Sequence, residues 1–311
     1  MPLQFTVLAS GSSGNASLLV ANGFGVLLDA GLGPRQLLHR LTAIGASWNH
    51  VQAVVLTHTH SDHWKDRTFA HMCRRCIPLY CHPQHHENLL AHGQAFATLR
   101  AANLVRGYEA GAEFDLAPGL CCRPLPLRHD GGATFGFRFD IGDGDGRPTH
   151  ALAYAADLGS WSAELAEHLA DVDLLALEFN HDVDLEHGSG RAPELIARVL
   201  GADGHLSNVQ AGALLREVLQ MSPPGRLRHV IQLHLSRDCN HPTLAAAAAR
   251  QVLADLVSSI ELHTASQHEP GRTLVLSSGL DGAAVNRPTA TPSRRLRPKI
   301  PVQLSLPGME D

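Results

Sequence analysis

The stretch Thr57-His58-Thr59-His60-Ser61-Asp62-His63 follows directly on the apolar run Ala53-Val54-Val55-Leu56. It places three imidazoles and one carboxylate within six positions at the end of a predicted buried strand. Alternate positions of a strand share a face, so His58 and His60 point the same way. Imidazole nitrogen and carboxylate oxygen are the ligands that borderline divalent metals prefer. The stretch therefore predicts a metal site for one or two ions. The alternative, a solvated polar turn, does not require three histidines.

The composition is typical of a soluble globular protein, because 44% of the 311 residues are hydrophobic and 18% are charged. No apolar run approaches the roughly 20 residues of a membrane span, and the start of the chain shows no signal-peptide core. We therefore expect a cytoplasmic protein. The net charge of −5 provides no broad basic surface, so any contact with a polyanion is expected to be local or carried by bound metal.

The six cysteines are scattered without the spacing of a disulfide framework, which indicates reduced thiols. One pattern allows a second interpretation. Cys73 and Cys76 are three positions apart, and Cys81-His82 follows, so these side chains could hold a zinc ion. The simpler interpretation is free thiols at a helix end and on the next strand.

Predicted strands alternate with predicted helices in both halves of the chain, which indicates an α/β layered domain. Two strand-rich blocks, each followed by helices, fit two sheets packed face to face with helices outside. We assign residues 1–282 to this domain. Residues 283–311 contain many prolines and basic residues and little apolar content, so we expect a disordered tail.

Three further polar residues each follow or end an apolar strand, as the first cluster does. His129 follows Leu125–Arg128, Asp157 follows Leu152–Ala156, and His234 lies in Ile231–Leu235. A single histidine in such a place is usually a core or surface residue. Several polar strand ends in a chain that also contains the His58 cluster are expected to be related.

The run His58-x-His60-x-Asp62-His63, with the later His129, Asp157 and His234, resembles the signature of the metallo-β-lactamase superfamily. The resemblance implies a four-layer αββα sandwich with two metals between the edges of its sheets. It also implies the ligands: His58, His60 and His129 for one metal, Asp62, His63 and His234 for the other, and Asp157 as the bridge. Asp29 matches the early strand-end aspartate that supports the ligands in this family.

Other stretches resemble the YycJ/WalJ group of the superfamily, which is associated with 5′→3′ exonuclease action on DNA. They are Leu8–Asn15, Glu178–Asp182, Gly204–Asn208 and His234–Asn240. Glu178 and His205 also resemble the glutamate and histidine of ribonuclease Z that are assigned to protonating the leaving group. The chain lacks that enzyme's long tRNA-binding arm and shows no added domain of the β-CASP nucleases.

Two divalent metals suit in-line displacement at phosphorus. In this interpretation Asp62 orients or deprotonates the nucleophile, and His205, oriented by Glu178 with His181 behind it, protonates the leaving group. Alternatively, Glu178 belongs to a buried ion pair and His205 is a loop residue next to a helix cap. Five imidazoles and two carboxylates suit zinc, iron or manganese, and the resemblance favours manganese.

The loop Ser10–Asn15 combines glycine freedom with backbone N–H groups that can face an anion. We expect Ser12, Ser13 and Asn15 to bind phosphate, the alternative being an ordinary turn.

In the tail, Gln303-Leu304-Ser305-Leu306-Pro307 resembles the short peptide with which bacterial proteins dock on the replication sliding clamp. Gln303, Leu304 and Leu306 would make that contact, and the alternative is a loose end with incidental leucines. Five basic and two acidic residues lie from Ala283 onward, so the rest has 20 basic and 28 acidic residues, a net charge of −8. The basic residues of the tail could therefore hold DNA.

Three functions compete on these observations. The first is a metal-dependent DNA exonuclease in repair or replication, favoured by the pair Glu178 and His205, the serine-rich loop and the tail. The second is a small-molecule hydrolase that cleaves a thioester, lactone or cyclic phosphodiester, favoured by the acidic body. The third, a metal-binding regulator without turnover, is opposed by the complete set of ligands.

Overall fold

The computed structural model describes residues 3–142, 148–255 and 259–277. Its strands are β1 (Leu3–Ala9), β2 (Ala16–Ala21), β3 (Phe24–Leu28), β4 (Ala53–Val55), β5 (Leu79–Cys81), β6 (Val105–Gly107), β7 (Phe114–Ala117), β8 (Leu120–Leu127), β9 (Thr134–Ile141), β10 (His150–Ala155), β11 (Leu174–Glu178), β12 (His229–Leu233), β13 (Glu261–Thr264) and β14 (Leu274–Leu276). Its helices are α1 (Pro34–Ala43), α2 (Asp66–Arg74), α3 (His85–His92), α4 (Ala95–Ala101), α5 (Ala163–Leu169), α6 (Val183–His187), α7 (Pro193–Leu200), α8 (Asn208–Met221) and α9 (Pro242–Asp255).

The strands form two seven-stranded sheets of matching design, with the orders β14-β1-β2-β3-β4-β5-β6 and β13-β12-β11-β10-β9-β8-β7. In the first sheet β1, β2 and β3 are antiparallel, whereas β3 to β6 are parallel. In the second, β7 to β10 are antiparallel and β10 to β13 are parallel. Parallel neighbours need crossover connections, which the helices supply. Each half of the chain thus begins with antiparallel strands and continues with parallel strands that alternate with helices.

Three apolar cores separate four layers. One lies between the sheets, a second joins the first sheet to α1–α4, and a third joins the second sheet to α5, α8 and α9. Strand β11 contributes to two of these cores, because alternate residues point to opposite faces of the sheet. Leu174 and Ala176 face the other sheet, whereas Leu175 and Leu177 face the helices. A strand covered on both faces is apolar throughout. The expected αββα sandwich is confirmed.

The sequence pattern predicts a helix over residues 62–75, but the start is wrong, because α2 begins at Asp66. Asp62 and His63 belong instead to a turn that is closed by the His63 N–H, which donates to the His60 carbonyl at 3.0 Å. The site needs both side chains at this turn, so the helix starts after it. Helices α4 and α6 and strands β13 and β14 were not predicted.

The predicted tail, residues 283–311, lies outside the described residues. The docking peptide with Gln303, Leu304 and Leu306 therefore stays a prediction, as does the domain boundary at residue 282. Within the described residues, no helix is both long and apolar enough to cross a membrane.

Asp173 ties three strands of the second sheet together at their amino ends. Its carboxylate is almost fully buried and accepts the Ala151 N–H at 2.8 Å and Arg228 Nη2 at 2.7 Å, while Arg226 Nη1 lies 2.7 Å away. Burial alone would raise the pKa of Asp173, but contacts with His150, the Ala151 N–H and the two arginines lower it to about 2. The ionised carboxylate therefore stabilises the fold.

We expect Asp173→Asn to lower the free energy of unfolding near neutral pH by about 2 kcal/mol, which corresponds to the pKa shift. Because the pKa is depressed in the folded state, the contribution is complete above the unfolded value near 3.9 and disappears as the pH falls toward 2. Urea unfolding followed by circular dichroism, repeated from neutral pH down to about pH 3, tests this. The exposed Asp115→Asn is the control. A difference between wild type and Asp173→Asn that does not shrink in acid would contradict the assignment.

Candidate metal centre

Three polar residues that follow strands adopt the left-handed backbone conformation. Asp29 directly follows β3 with φ 61°, Asp157 lies two residues after β10 with φ 59°, and His234 directly follows β12 with φ 53°. Positive φ is uncommon outside glycine and persists only where the surrounding contacts enforce it. All three residues belong to the polar cluster described next, which indicates that the cluster enforces the conformation.

Backbone hydrogen bonds join three loops beneath the cluster. Asn15 N–H donates to the Asp62 carbonyl at 2.7 Å, Gly31 N–H to the Asn15 carbonyl at 3.0 Å, and Ala30 N–H to the His63 carbonyl at 2.8 Å. A Cβ at Gly31 would lie 1.7 Å from the Asp62 carbonyl oxygen. Only glycine therefore permits this approach.

The first group of candidate ligands contains His58, His60 and His129, whose ligand atoms all lie within 4.8 Å of one another. His60 Nδ1 and His129 Nε2 are 3.3 Å apart, and the rings of His58 and His129 are 5.2 Å apart at their centres. Two nitrogens bound to one tetrahedral zinc at about 2.0–2.1 Å would also be about 3.3 Å apart. The spacing fits a shared cation.

The second group contains Asp62, His63 and His234. Asp62 Oδ2 lies 3.5 Å from His63 Nε2 and 3.6 Å from His234 Nε2. Asp157 lies between the groups, because its Oδ2 is 3.0 Å from His63 Nε2 and it also forms a candidate group with His58. The structure therefore brings all seven predicted ligands into one cluster.

Outer contacts orient the imidazoles. His63 Nδ1 lies 2.7 Å from Asp29 Oδ2, and His129 Nδ1 lies 2.8 Å from the Gly204 carbonyl oxygen. Carboxylate and carbonyl oxygens only accept, so Nδ1 is the donor in both rings. Each Nε2 then faces the cluster, the arrangement typical of histidine ligands. The structure places Asp29 where the resemblance implies a supporting residue.

The cluster also contains buried atoms that lack a partner. His58 Nε2 and His234 Nε2 are buried and have no hydrogen-bond partner among the described residues. Such an atom costs about 1–3 kcal/mol when it stays unsatisfied. A cation bound to these nitrogens would remove that cost, so the residues fit a metal site.

The charge of the cluster favours a cation as well. Burial alone would lower the pKa of His63, but the carboxylates of Asp29, Asp157 and Asp62 raise it well above its usual value. Burial would raise the pKa of Asp157, but His234 and His63 hold it well below the usual range. The carboxylates thus stay ionised and hold a proton on His63, and a divalent ion bound to these side chains would take the place of that proton.

Glu178 and His205 form a hydrogen-bonded pair beside the cluster. His205 Nδ1 donates to Glu178 Oε1 at 2.8 Å, and the same oxygen lies 3.0 Å from His234 Nδ1. Glu178 Oε2 accepts the backbone N–H groups of Leu158 and Leu206. Glu178 is fully buried, whereas 18% of the His205 side chain is exposed. Burial would lower the pKa of His205, but Glu178 raises it above the usual value.

His181 was expected behind His205 and lies in the same region without joining the hydrogen bonds. It is fully buried, and neither of its ring nitrogens has a hydrogen-bond partner among the described residues. Burial lowers the pKa of His181, against the attraction of Glu178. The structure therefore gives His181 no direct hydrogen bond to the proposed acid.

The three expected phosphate contacts separate into two kinds. Ser12 and Ser13 are exposed. Asn15 is fully buried, and its Nδ2 donates to Asp62 Oδ2 at 3.1 Å, while its Oδ1 accepts the Gly11 N–H at 2.8 Å. The side chain of Asn15 therefore holds Asp62 in place and does not face an incoming phosphate. Sequence alone could not show this, because the contact spans 47 residues.

Two supporting residues were not predicted. Thr57 Oγ1 lies 3.0 Å from His58 Nδ1 and donates to Asp29 Oδ2 at 3.0 Å. Asp130 Oδ1 lies 3.5 Å from His129 Nε2 and accepts Arg198 Nη2 at 3.1 Å. Both are adjacent to a proposed ligand in the sequence, and that adjacency was the available signal.

The alternative zinc site at Cys73, Cys76, Cys81 and His82 receives no support. Cys73 is half-buried, Cys76 exposed and Cys81 buried, and all three are free thiols. Among the side chains of the described ranges, no candidate metal group contains a cysteine.

The family described as "Beta-lactamase superfamily domain" matches residues 25–223. The chain belongs to the beta-lactamase superfamily. Within its metallo-β-lactamase branch the chain is of the YycJ/WalJ type and is a metal-dependent hydrolase.

Two curated relatives support this assignment. Exodeoxyribonuclease YycJ of Bacillus anthracis is 26% identical over 264 residues, which cover 82% of this chain and 90% of the relative. Exodeoxyribonuclease WalJ of Streptococcus pneumoniae is 27% identical over 247 residues, which cover 78% of this chain and 85% of the relative. The metallo-β-lactamase fold protein YhfI from Bacillus subtilis has the same fold, with a TM-score of 0.61 and 17% identity over 88% of this chain and 100% of that chain.

Gly131 lies against the rings of three proposed metal ligands. A Cβ at this position would lie 2.6 Å from His58 Cδ2 and 3.2 Å from both His129 Cδ2 and His60 Cε1. We expect Gly131→Ala to displace these rings and weaken metal binding by about 10–100-fold, the usual effect of disturbing ligand orientation. Titration calorimetry with Zn²⁺ and Mn²⁺, and metal content after dialysis, would measure this. Gly107→Ala is the control, because nothing lies within 4 Å of a Cβ there. Equal metal affinity of the two variants would contradict the proposed packing.

Proposed function

We propose that the chain is a dinuclear metal-dependent phosphodiesterase that degrades DNA from the 5′ end in the cytoplasm, in repair or replication. The observation that carries the proposal is the Glu178–His205 pair next to a cluster that can hold two metals. Its relatives' names as exodeoxyribonucleases support DNA as the substrate.

The proposed ligands divide as the resemblance implies, and Asp157 contacts both groups. His58, His60 and His129 would hold one ion, and Asp62, His63 and His234 the other. When bound, the ions neutralise phosphate oxygens and lower the pKa of water so that hydroxide forms near neutral pH. The mixture of imidazole and carboxylate suits zinc, manganese or iron.

Asp62 would orient the attacking water. The residue keeps 17% of its side chain exposed, whereas His63 beside it is fully buried. Burial would raise the pKa of Asp62, but His63 and His234 lower it, so the carboxylate stays ionised and can accept a hydrogen bond from the water. Asn15 Nδ2 donates a hydrogen bond to Asp62 Oδ2 and so holds this carboxylate in place.

His205 would protonate the leaving oxygen. Its Nδ1 is held by Glu178, so Nε2 is the nitrogen that would give the proton. Glu178 cannot turn away, because its two oxygens are occupied by His205, His234 and backbone N–H groups. The pair therefore positions one proton donor beside the metal cluster.

The function is tested with metal-reconstituted full-length protein and labelled nucleic acids. We expect release of 5′ label before 3′ label from DNA, and no release by Asp157→Ala, which removes the residue shared by both ligand groups. Duplex DNA, single-stranded DNA and RNA are compared, with zinc, manganese and iron in turn. If no nucleic acid is degraded while a thioester, lactone or cyclic phosphodiester is hydrolysed, the chain is a small-molecule hydrolase instead.

The role of His205 predicts a dependence on the leaving group. We expect His205→Ala to reduce kcat on DNA by about 10²–10⁴-fold, the usual size of an acid–base contribution. Thymidine 5′-(p-nitrophenyl) phosphate should lose about tenfold or less, because p-nitrophenolate leaves without a proton. Glu178→Gln, which keeps the shape but loses the charge, should show an intermediate effect. Equal losses on both substrates, or loss of bound metal, would assign His205 another role.

A further inference from the structure

A cavity of about 360 Å³ adjoins the metal centre on the side of β12. Three separate segments form its walls: the loop after β1, the stretch from Leu235 to the start of α9 at Pro242, and the end of β13 with the turn after it. None of the seven proposed metal ligands lines it. The cavity is therefore a neighbour of the centre rather than part of it.

The cavity and the centre share a wall. Ser10 lines the cavity, and its Oγ accepts the backbone N–H of His234 at 2.8 Å. Leu235 and Ser236, the next two residues after that ligand, also line the cavity. The cavity therefore lies directly beside the backbone segment that carries His234.

The lining suits an anion. It contains five serines, Thr264, Arg237 and two histidines, and none of the described residues that form it carries a carboxylate. The fourteen-residue helix α9 also begins here with Pro242, which adds the positive end of a helix dipole.

Arg237 provides a cation at the cavity. Its side chain is 80% exposed, and its Nε donates to Asp238 Oδ1 at 3.1 Å. A guanidinium has five N–H donors, and this contact uses one of them. The planar donor group matches the geometry of a phosphate or a carboxylate.

The serines at the rim are held rigidly. Gln267 Oε1 accepts the Ser13 N–H at 2.9 Å, and Gln267 Nε2 donates to the Gly14 carbonyl at 2.9 Å. Gly11 has φ 141°, and a Cβ there would lie 2.6 Å from Gln267 Oε1. Only glycine fits under this side chain, so Ser12 and Ser13 are presented on a fixed loop.

We propose that this cavity takes the terminal nucleotide of a 5′-phosphorylated DNA strand, with Arg237, Ser12 and Ser13 on its 5′-phosphate. The proposal rests on the proposed nuclease function. Its volume is at the lower end of the about 300–1,000 Å³ found for small-molecule sites, enough for one nucleotide and too small for a duplex. The second phosphate of the strand would then lie at the metal centre.

The chemistry of the reaction agrees with a 5′-phosphate. Water adds its oxygen to the second phosphorus, the bond from that phosphorus to the O3′ of the terminal nucleotide breaks, and His205 supplies the proton for O3′. The products are a nucleoside 5′-monophosphate and a shortened strand that again begins with a 5′-phosphate. Each turnover therefore recreates the group that the cavity recognises, whereas a 3′ end would present only a hydroxyl.

Binding tests the cavity without turnover. Full-length protein in EDTA is titrated with a fluorescent single-stranded oligonucleotide that carries either a 5′-phosphate or a 5′-hydroxyl, and with deoxyadenosine 5′-monophosphate as competitor. We expect about tenfold tighter binding of the phosphorylated strand, the size expected for hydrogen bonds to a charged group. Arg237→Ala should bring the ratio near one, and Arg237→Lys should keep part of it. Arg74→Ala, an exposed arginine on α2, should keep the wild-type ratio.

Digestion of the same two strands, labelled at the 3′ end and with metal restored, separates the two proposals. If DNA is degraded but the 5′-phosphate changes neither affinity nor kcat/KM, the cavity proposal is overturned and the nuclease stands. If nothing is degraded but the phosphorylated strand still binds more tightly through Arg237, the nuclease proposal fails and the cavity stands. If no DNA is degraded and the 5′-phosphate does not change the affinity, both proposals are overturned.

Discussion

The contact between Asp157 and His63 joins the two sheets at the edge where their strands end. The first sheet contributes His58, His60, Asp62 and His63 to the cluster, and the second contributes His129, Asp157 and His234. Neither half of the chain contains a complete set for either metal. The site therefore exists only when the core between the sheets has formed, and its geometry depends on that packing. A shift between the sheets would separate both ligand groups at once.

Such a cluster opposes folding until a cation binds. Buried nitrogen atoms without partners and left-handed backbone at Asp29, Asp157 and His234 each cost free energy, in the range of about 1–3 kcal/mol. Interactions elsewhere must offset this cost, and the three apolar cores are the source. Binding of metal to the folded state then adds stability, because the unfolded chain cannot assemble ligands that come from seven separate positions.

Much of this could be read from the sequence, because each ligand ends a strand whose apolar pattern is visible. The sequence predicts a helix from about Pro193 to Leu200, since proline can start a helix and Gly201 follows, and α7 has these bounds. Other features have no local signal. The side chain of Asn15 is turned inward by contacts 47 residues away, and β13 and β14 have only four and three residues. The cavity is formed by three distant segments and could not be predicted from any one of them.

The electrostatics of the chain favour recognition of a strand end over binding along a strand. Without residues 283–311 the net charge is −8, so a long DNA duplex gains little from the surface of the domain. The attraction is concentrated instead at the metal centre and at a neighbouring cavity whose described lining residues include no carboxylate. An enzyme that holds one terminal nucleotide and one scissile phosphate has no need of a long basic groove. The acidic composition at first favours a small-molecule substrate. It is equally consistent with an exonuclease that contacts only the terminal nucleotide and the scissile phosphate of its strand.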